Sequence, residues 1–99
     1  MCLNCCKIKT YIGFAKRSKT IIYGVDDIEK QIGRCEVILF SSVLTESSAK
    51  NLVRLATKRH IQIYKLDEED FNQKLDSIVI KAVAITDKNL SEAIKKELD

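Results

Sequence analysis

Apolar residues recur along the chain in two alternating patterns, one typical of amphipathic helices and the other of short buried strands. Residues 5–17 place Ile8 and Ile12 at helical spacing among lysines, and "EVILF" (36–40) is an almost unbroken apolar run. The first pattern predicts a helix with one buried face. The second predicts a strand that is buried on both faces.

The rest of the chain continues this alternation. Thr45, Asp67 and Asp87 are residue types that cap helix N-termini, and each precedes a helical pattern. Strands this apolar need helices on both faces, so we predict an α/β fold, a three-layer α/β/α sandwich around a small mixed sheet. The predicted strands cover 20–23, 36–40, 61–65 and 82–86, and the predicted helices cover 5–17, 26–33, Thr45 to Arg59, and the segments after Asp67 and Asp87.

Composition indicates a soluble protein of ordinary type. Hydrophobic residues make up 45% and charged residues 31% of the 99 positions, which fits one domain over 1–99. No apolar run approaches the ~20 residues of a membrane span. The opening "MCLNCCKIKT" carries its charge after a short apolar stretch, unlike a secretory signal. We therefore expect a cytoplasmic protein with no membrane partner.

Charge is distributed unevenly along the sequence. Residues 1–66 contain 12 Lys and Arg against 5 Asp and Glu, a balance of +7, while residues 67–99 contain 5 against 9, a balance of −4. A basic segment of this kind favours a polyanionic partner. Uneven charge is also common in small soluble domains, so charge alone leaves both interpretations open.

No constellation of residues favours catalysis. The chain has one histidine, His60, and contains no nucleophile elbow, phosphate loop or dinucleotide fingerprint. Cys2 and Cys5 have the spacing of a zinc or redox pair, but a second pair of ligands is missing. We predict no enzyme activity, no cofactor and no small-molecule substrate. A thiol or metal role for Cys2, Cys5 and Cys6 stays a weaker alternative.

A candidate binding site lies where the β-prone run "TIIY" (20–23) meets Gly24 and a helix that opens with Asp26 and Asp27. A helix N-terminus presents unpaired N–H groups to anions, and carboxylates accept hydrogen bonds from guanine N–H groups. Basic residues that are close to this helix in sequence would contact phosphates. They are Lys16, Arg17, Lys19, Lys30 and Arg34.

The order of several segments resembles a known family. The segments are "YIGFAKRSKTIIYGVDDIEKQIGRCEVILFSS", "LTESSAKNLVRLATKRHIQIY" and "AVAITDKNLSEAI", within about residues 10–96. They look like bacterial YlxQ-like proteins of the kink-turn RNA-binding ribosomal protein superfamily, typified by the large-subunit proteins seven-Ae and thirty-e. The resemblance implies an α/β/α sandwich that binds a sharply bent internal loop of RNA.

The resemblance also implies roles for individual residues. Gly24 matches the glycine that lets RNA approach the backbone, Asp27 the acidic acceptor for guanine, and Lys30 a supporting lysine. Val25 and Asp26 belong to the same helix start, but the better-known RNA binders have an asparagine where this chain has Asp26. Val43 and Leu44 would form an apolar loop against an extruded base. Val83 and Ala84 would lie on the strand that closes the site.

The sequence thus predicts a small non-catalytic RNA-binding protein for kink-turn or related structured RNA, with ribosomal RNA among its candidates. The basic segment 1–66 favours this interpretation. The alternative is a protein–protein adaptor that keeps the fold without binding RNA, which Asp26 favours.

Overall fold

Helices alternate with strands along the chain as predicted. The computed structural model describes residues 3–75 and 80–98, with the side chains of 3–6 and 73–75 left out. Its helices are α1 (Leu3–Ser18), α2 (Val25–Lys30), α3 (Glu46–Lys58), α4 (Glu68–Leu75) and α5 (Lys88–Leu98). Its strands are β1 (Ile21–Tyr23), β2 (Val37–Ser41), β3 (Gln62–Leu66) and β4 (Ala82–Ile85).

Within the described residues the strands form one mixed sheet in the order β1-β4-β2-β3. Strand β4 is antiparallel to both of its neighbours, with Val83 opposite Tyr23 on β1 and Leu39 on β2. Strand β2 is parallel to β3, with Ser41 opposite Leu66. Strands β1, β2 and β3 therefore all end at the side of the sheet where β4 begins.

Two buried clusters lie on opposite faces of the sheet, which confirms the predicted three-layer α/β/α sandwich. Helices α1, α4 and α5 cover one face, and α2 and α3 cover the other. Every residue of β2 and β4 is buried, as expected for strands that are covered on both sides. The first cluster includes Ile8, Ile12, Leu39, Phe71, Val83 and Ile94, and the second includes Ile28, Ile38, Phe40, Leu52, Ala56 and Ala84.

The helix predicted over 26–33 is shorter than expected. Helix α2 ends at Lys30 because Gln31 leaves the helical conformation, with φ −113° and ψ 25°. A separate 3-10 helix then covers Ile32–Arg34. It leads into Cys35, which is 3% exposed, and burial raises the pKa of this thiol to about 11. Cys2 and the side chains of Cys5 and Cys6 lie outside the described residues.

None of the helices in the described part of the chain has the length and apolar character needed to cross a membrane.

Of two predicted helix caps, Asp87 forms the expected hydrogen bond and Thr45 does not. The Asp87 carboxylate accepts a hydrogen bond from the Leu90 N–H at 2.9 Å, so Asp87 caps α5 as predicted. Thr45 precedes α3, but its side chain forms no capping hydrogen bond. Thr45 is therefore the N-cap residue as predicted, but the predicted capping hydrogen bond is absent.

We expect Asp87→Ala to lower the free energy of unfolding by about 1 kcal/mol, because it removes an N-cap hydrogen bond. Thr45→Ala is the matched control, and its effect should be much smaller because no such bond is lost. Urea denaturation of both variants measures the difference. Equal losses would contradict these cap assignments.

Candidate nucleic-acid interface

The predicted binding residues converge at the end of the sheet where β1 and β2 finish and β4 begins. Three backbone hydrogen bonds connect the segments there. The N–H of Gly24 donates to Ala82 O at 2.9 Å, that of Ser41 to Lys81 O at 2.8 Å, and that of Ser42 to Leu66 O at 2.7 Å. We call the surface formed here by residues 23–27, 43–44 and 80–81 the corner surface.

Gly24 gives the corner surface its open backbone. Its φ of 87° and ψ of 150° lie in a region that is essentially restricted to glycine. A Cβ placed on Gly24 would meet no atom within 4 Å, so the backbone faces open space. The conformation turns the chain from β1 directly into α2. The Gly24 N–H and carbonyl are both hydrogen-bonded within the protein, so the residue offers a ligand open space for close approach.

The loop after β2 presents one apolar side chain to solvent. The Leu44 N–H donates to Ser41 O at 3.0 Å, and the Val43 N–H donates to Ser41 Oγ at 3.3 Å. Because Ser41 itself is fully buried, these bonds anchor a tight turn. Val43 is 44% exposed, whereas Leu44 is half-buried against the second core cluster. Only Val43 is therefore well placed to pack on a base.

Helix α2 places its polar residues on accessible faces. Asp26, Asp27 and Lys30 are exposed, while Ile28 between them is fully buried and holds the helix on the sheet. Asp26 and Lys30 are four residues apart, so they share one face of the helix. Lys30 lies about 6 Å along the helix axis from Asp26. Both carboxylates can therefore act as acceptors, with a cation one turn away.

The strand predicted over 82–86 is present as β4, but the two residues predicted to close the site lie inside it. Val83 and Ala84 are fully buried in the middle of β4, with strands on both sides, so the prediction that they line the site is wrong. The residues at the surface are Ile80 and Lys81, which are half-buried beside Gly24. The polar Lys81 just before the apolar run "AVAI" was the signal that the strand leaves the core there.

Tyr23, like Ile80 and Lys81, was not predicted from the sequence to belong to the site. It lies on the edge strand β1 and is 38% exposed, and its partial burial raises the pKa of its phenol. Tyr23, Gly24, Val25, Ile80, Lys81 and Ala82 line an open pocket of about 360 Å³. An exposed aromatic ring beside an open backbone provides a surface on which a base can stack.

Four of the predicted phosphate contacts lie at the other end of the sheet. Thr20 follows the α1 terminus, and its carbonyl accepts the Thr86 N–H beyond the end of β4. Thr20 therefore lies about 13 Å from Gly24, the length of the extended chain through β1, and Lys16, Arg17 and Lys19 precede it at that far end. Arg34 precedes Cys35 at the same far end. The five predicted phosphate contacts therefore do not form one group: Lys30 lies near Gly24, and the other four residues lie at the far end of the sheet.

The corner end of the sheet is instead rich in carboxylates. Asp26 and Asp27 begin α2, Glu46 begins α3, and the acidic run 67–70 follows β3 at the same end. Glu46 forms an ion pair with Lys50 at 3.0 Å. Among the side chains described, those of 7–72 and 80–98, no three or more His, Cys, Asp or Glu form a group that could hold a metal ion.

Comparison with known proteins supports the fold only. No family model matches the chain, and no curated protein sequence matches it. Among solved structures, the chain is similar to a protein with unknown function from Bacillus halodurans, with a TM-score of 0.82 and 17% sequence identity. The match covers 94% of this chain and 97% of that chain. At this identity the similarity shows a shared fold and carries no statement about function.

We expect Gly24→Ala to lower the free energy of unfolding by about 1–3 kcal/mol, since alanine is strained in this backbone conformation. Gly13→Ala is the matched control. Gly13 lies inside α1 with open space around its Cβ position, so alanine there should raise stability by up to about 1 kcal/mol. Thermal and urea unfolding compare the two, and a neutral Gly24→Ala would show that the conformation is not restrictive.

Proposed function

We propose that this protein is a non-catalytic, cytoplasmic RNA-binding protein that recognises kink-turn or related structured RNA through the corner surface. The observation that supports this most is the combination at one end of the sheet of an open glycine backbone with exposed Tyr23 and Val43. The α/β/α layers and the position of Gly24 between β1 and α2 also match what the family resemblance implies.

The chemistry of the corner surface suits a bent RNA with bases turned outward. Guanine N1–H and N2–H₂ groups would donate to the carboxylates of Asp27 and Asp26. An extruded base would pack on Val43 or stack on Tyr23, both of which are partly exposed. Lys30, one turn along α2, would contact a neighbouring phosphate. Because a plain duplex keeps its bases stacked and paired, it offers none of the base contacts.

Acidic residues at the corner end favour one other function. Asp26, Asp27, Glu46 and the run 67–70 give this end a negative character that suits a basic protein partner. An adaptor of this kind would use the same Tyr23 and Val43 side chains as apolar anchors. The two functions differ in their ligand, so a measurement of RNA affinity distinguishes them.

We expect the protein to bind a kink-turn RNA at least about tenfold more tightly than a plain RNA duplex of equal length. Lys30→Ala should weaken kink-turn binding about tenfold, because a hydrogen bond to a charged group contributes about 1.5 kcal/mol. Lys9→Ala, which removes the same charge from the exposed side of α1, should have no effect.

Fluorescence anisotropy with both RNAs measures these affinities. Equal affinity for the two RNAs, unchanged by Lys30→Ala, would contradict the proposed function. It would leave the adaptor as the better account of the corner surface.

Replacing Asp26 with Asn should strengthen kink-turn binding several-fold. The amide both donates and accepts hydrogen bonds, and the substitution removes a negative charge beside the RNA phosphates. Glu29→Gln removes one charge from the same helix and serves as the control. An equal gain in both variants would indicate a general charge effect, and no gain for Asp26→Asn would eliminate Asp26 as a source of repulsion.

A further inference from the structure

The structure assigns a second RNA-contacting surface to the end of the sheet opposite the corner surface: a basic end that holds backbone phosphates. It rests on the proposed function for the choice of RNA as the polyanion, and its residues are separate from those of the corner surface. The basic end consists of Lys16, Arg17, Lys19, Arg34, Lys58, Arg59, His60 and Lys88, all of which are exposed.

Topology brings these residues together from distant parts of the sequence. Helices α1 and α3 both end here, at the side of the sheet where β1 and β3 begin, and α5 starts here after β4. The carboxylates that share this end are Glu36 and Asp87, which are half-buried, and Asp87 is engaged in capping α5. Six of the 12 Lys and Arg residues of segment 1–66 lie at this end with one of its 5 carboxylates, so most of the net positive charge of the segment is located here.

Two arginines at the basic end contact neutral partners, which leave their charge available to a ligand. The Arg17 guanidinium lies over the Phe14 ring, 4.8 Å from its centroid, and Arg34 donates to Gln31 Oε1 at 3.0 Å. Arg59 Nη1 lies 3.5 Å from the position that a Cβ on Gly33 would occupy. Within the described part of the chain, Arg17, Arg34 and Arg59 form no ion pair with a carboxylate.

Arg59 and His60 also line a polar pocket of about 280 Å³ at this end, together with Lys95 and Glu36. The pocket opens beside the 3-10 helix that carries Arg34. Its cationic and N–H donor groups match the acceptor oxygens of a phosphate. The pocket therefore provides a concave site at the basic end, lined by three basic side chains and one carboxylate.

Backbone conformation supplies an independent observation. Lys19 and His60 are the non-glycine residues with positive φ among those described, at 60° and 59°. Each follows the end of a helix, α1 or α3, in a motif where glycine is the usual residue. The Thr20 N–H donates to Ala15 O at 2.9 Å, and the Ile61 N–H donates to Ala56 O at 2.8 Å, which completes the same turn at both helices.

A residue with a side chain is less stable in this conformation than glycine, which has no Cβ to clash with the backbone. The chain nevertheless has a lysine at one position and a histidine at the other, and both lie at the basic end. Strain that recurs at two sites on one surface points to a function for the side chains. The lysine ammonium group and the histidine N–H can both donate hydrogen bonds to a phosphate, so phosphate binding is a function that the two side chains can share.

The test compares a triple variant with a matched control triple in binding to a plain RNA duplex. Arg17→Gln, Lys19→Gln and Arg59→Gln remove three charges from the basic end. Lys9→Gln, Lys65→Gln and Lys96→Gln remove three exposed charges from elsewhere. We expect the first triple to weaken duplex binding at least about tenfold at 0.1 M salt and to reduce the slope of log K against log salt by about 2.

The proposal is overturned if the first triple binds within twofold of wild type, if the control triple loses as much affinity, or if no RNA binding is measurable. Phosphatidylserine vesicles are the second probe. Loss of vesicle binding with RNA binding unchanged would overturn it in favour of a membrane contact. Preference for the kink-turn over the duplex depends on the corner surface. If the protein binds both RNAs equally but the first triple still weakens duplex binding, the proposed kink-turn recognition is wrong and the basic end stands.

A double variant, Lys19→Gly and His60→Gly, separates function from stability. Glycine relieves the strained conformations, so the melting temperature should rise by about 4 °C or more. Duplex affinity should fall at least about threefold in the same variant. A higher melting temperature with unchanged affinity would contradict a binding role for these two side chains, and so would a loss of both stability and affinity.

Discussion

The antiparallel pairing of β2 with β4 is the interaction on which the rest of this structure depends. Both strands are buried along their whole length, and their side chains alternate between the two core clusters. Together with the antiparallel β1–β4 pairing and the parallel β2–β3 pairing, it places β4 between β1 and β2 and makes β1, β2 and β3 run in the same direction. It thereby decides which loops meet: Gly24, the Val43 loop and Lys81 at one end, and the termini of α1 and α3 at the other.

Much of this arrangement follows from sequence pattern. The apolar run of β2 predicts a strand covered on both faces, and the alternation of helices with strands predicts the three layers. The corner residues of α2 and the Val43 loop could be identified because each directly follows a strand. Residues that come just after strands of the same direction are brought together by the sheet.

Charge could not be placed in the same way. Lys19 is five residues from Gly24 in sequence, but the three residues of β1 carry the chain from one end of the sheet to the other. Nearness in sequence to a strand's end is therefore a poor guide to nearness in space. The predicted contact residues of the closing strand are also misplaced, because Val83 and Ala84 are fully buried inside β4 and the residues at the surface are Ile80 and Lys81 before it. The conformation of Lys19 and His60, which glycine usually adopts, also has no sequence signal.

Two kinds of binding chemistry that are interspersed along the sequence lie at opposite ends of the folded sheet. The corner surface offers an open backbone, carboxylate acceptors and exposed apolar groups, which suit bases. The basic end offers cations with few nearby carboxylates, which suit phosphates. The measurement that tests this division most directly is an amide-resolved NMR titration of the labelled protein with a kink-turn RNA. The account predicts shift changes at Gly24, Val43 and Lys81 and at Lys19 and His60, with the outer strand β3 unaffected. Changes confined to β3 and to the exposed residues of α3 before Lys58, or no changes at all, would contradict it.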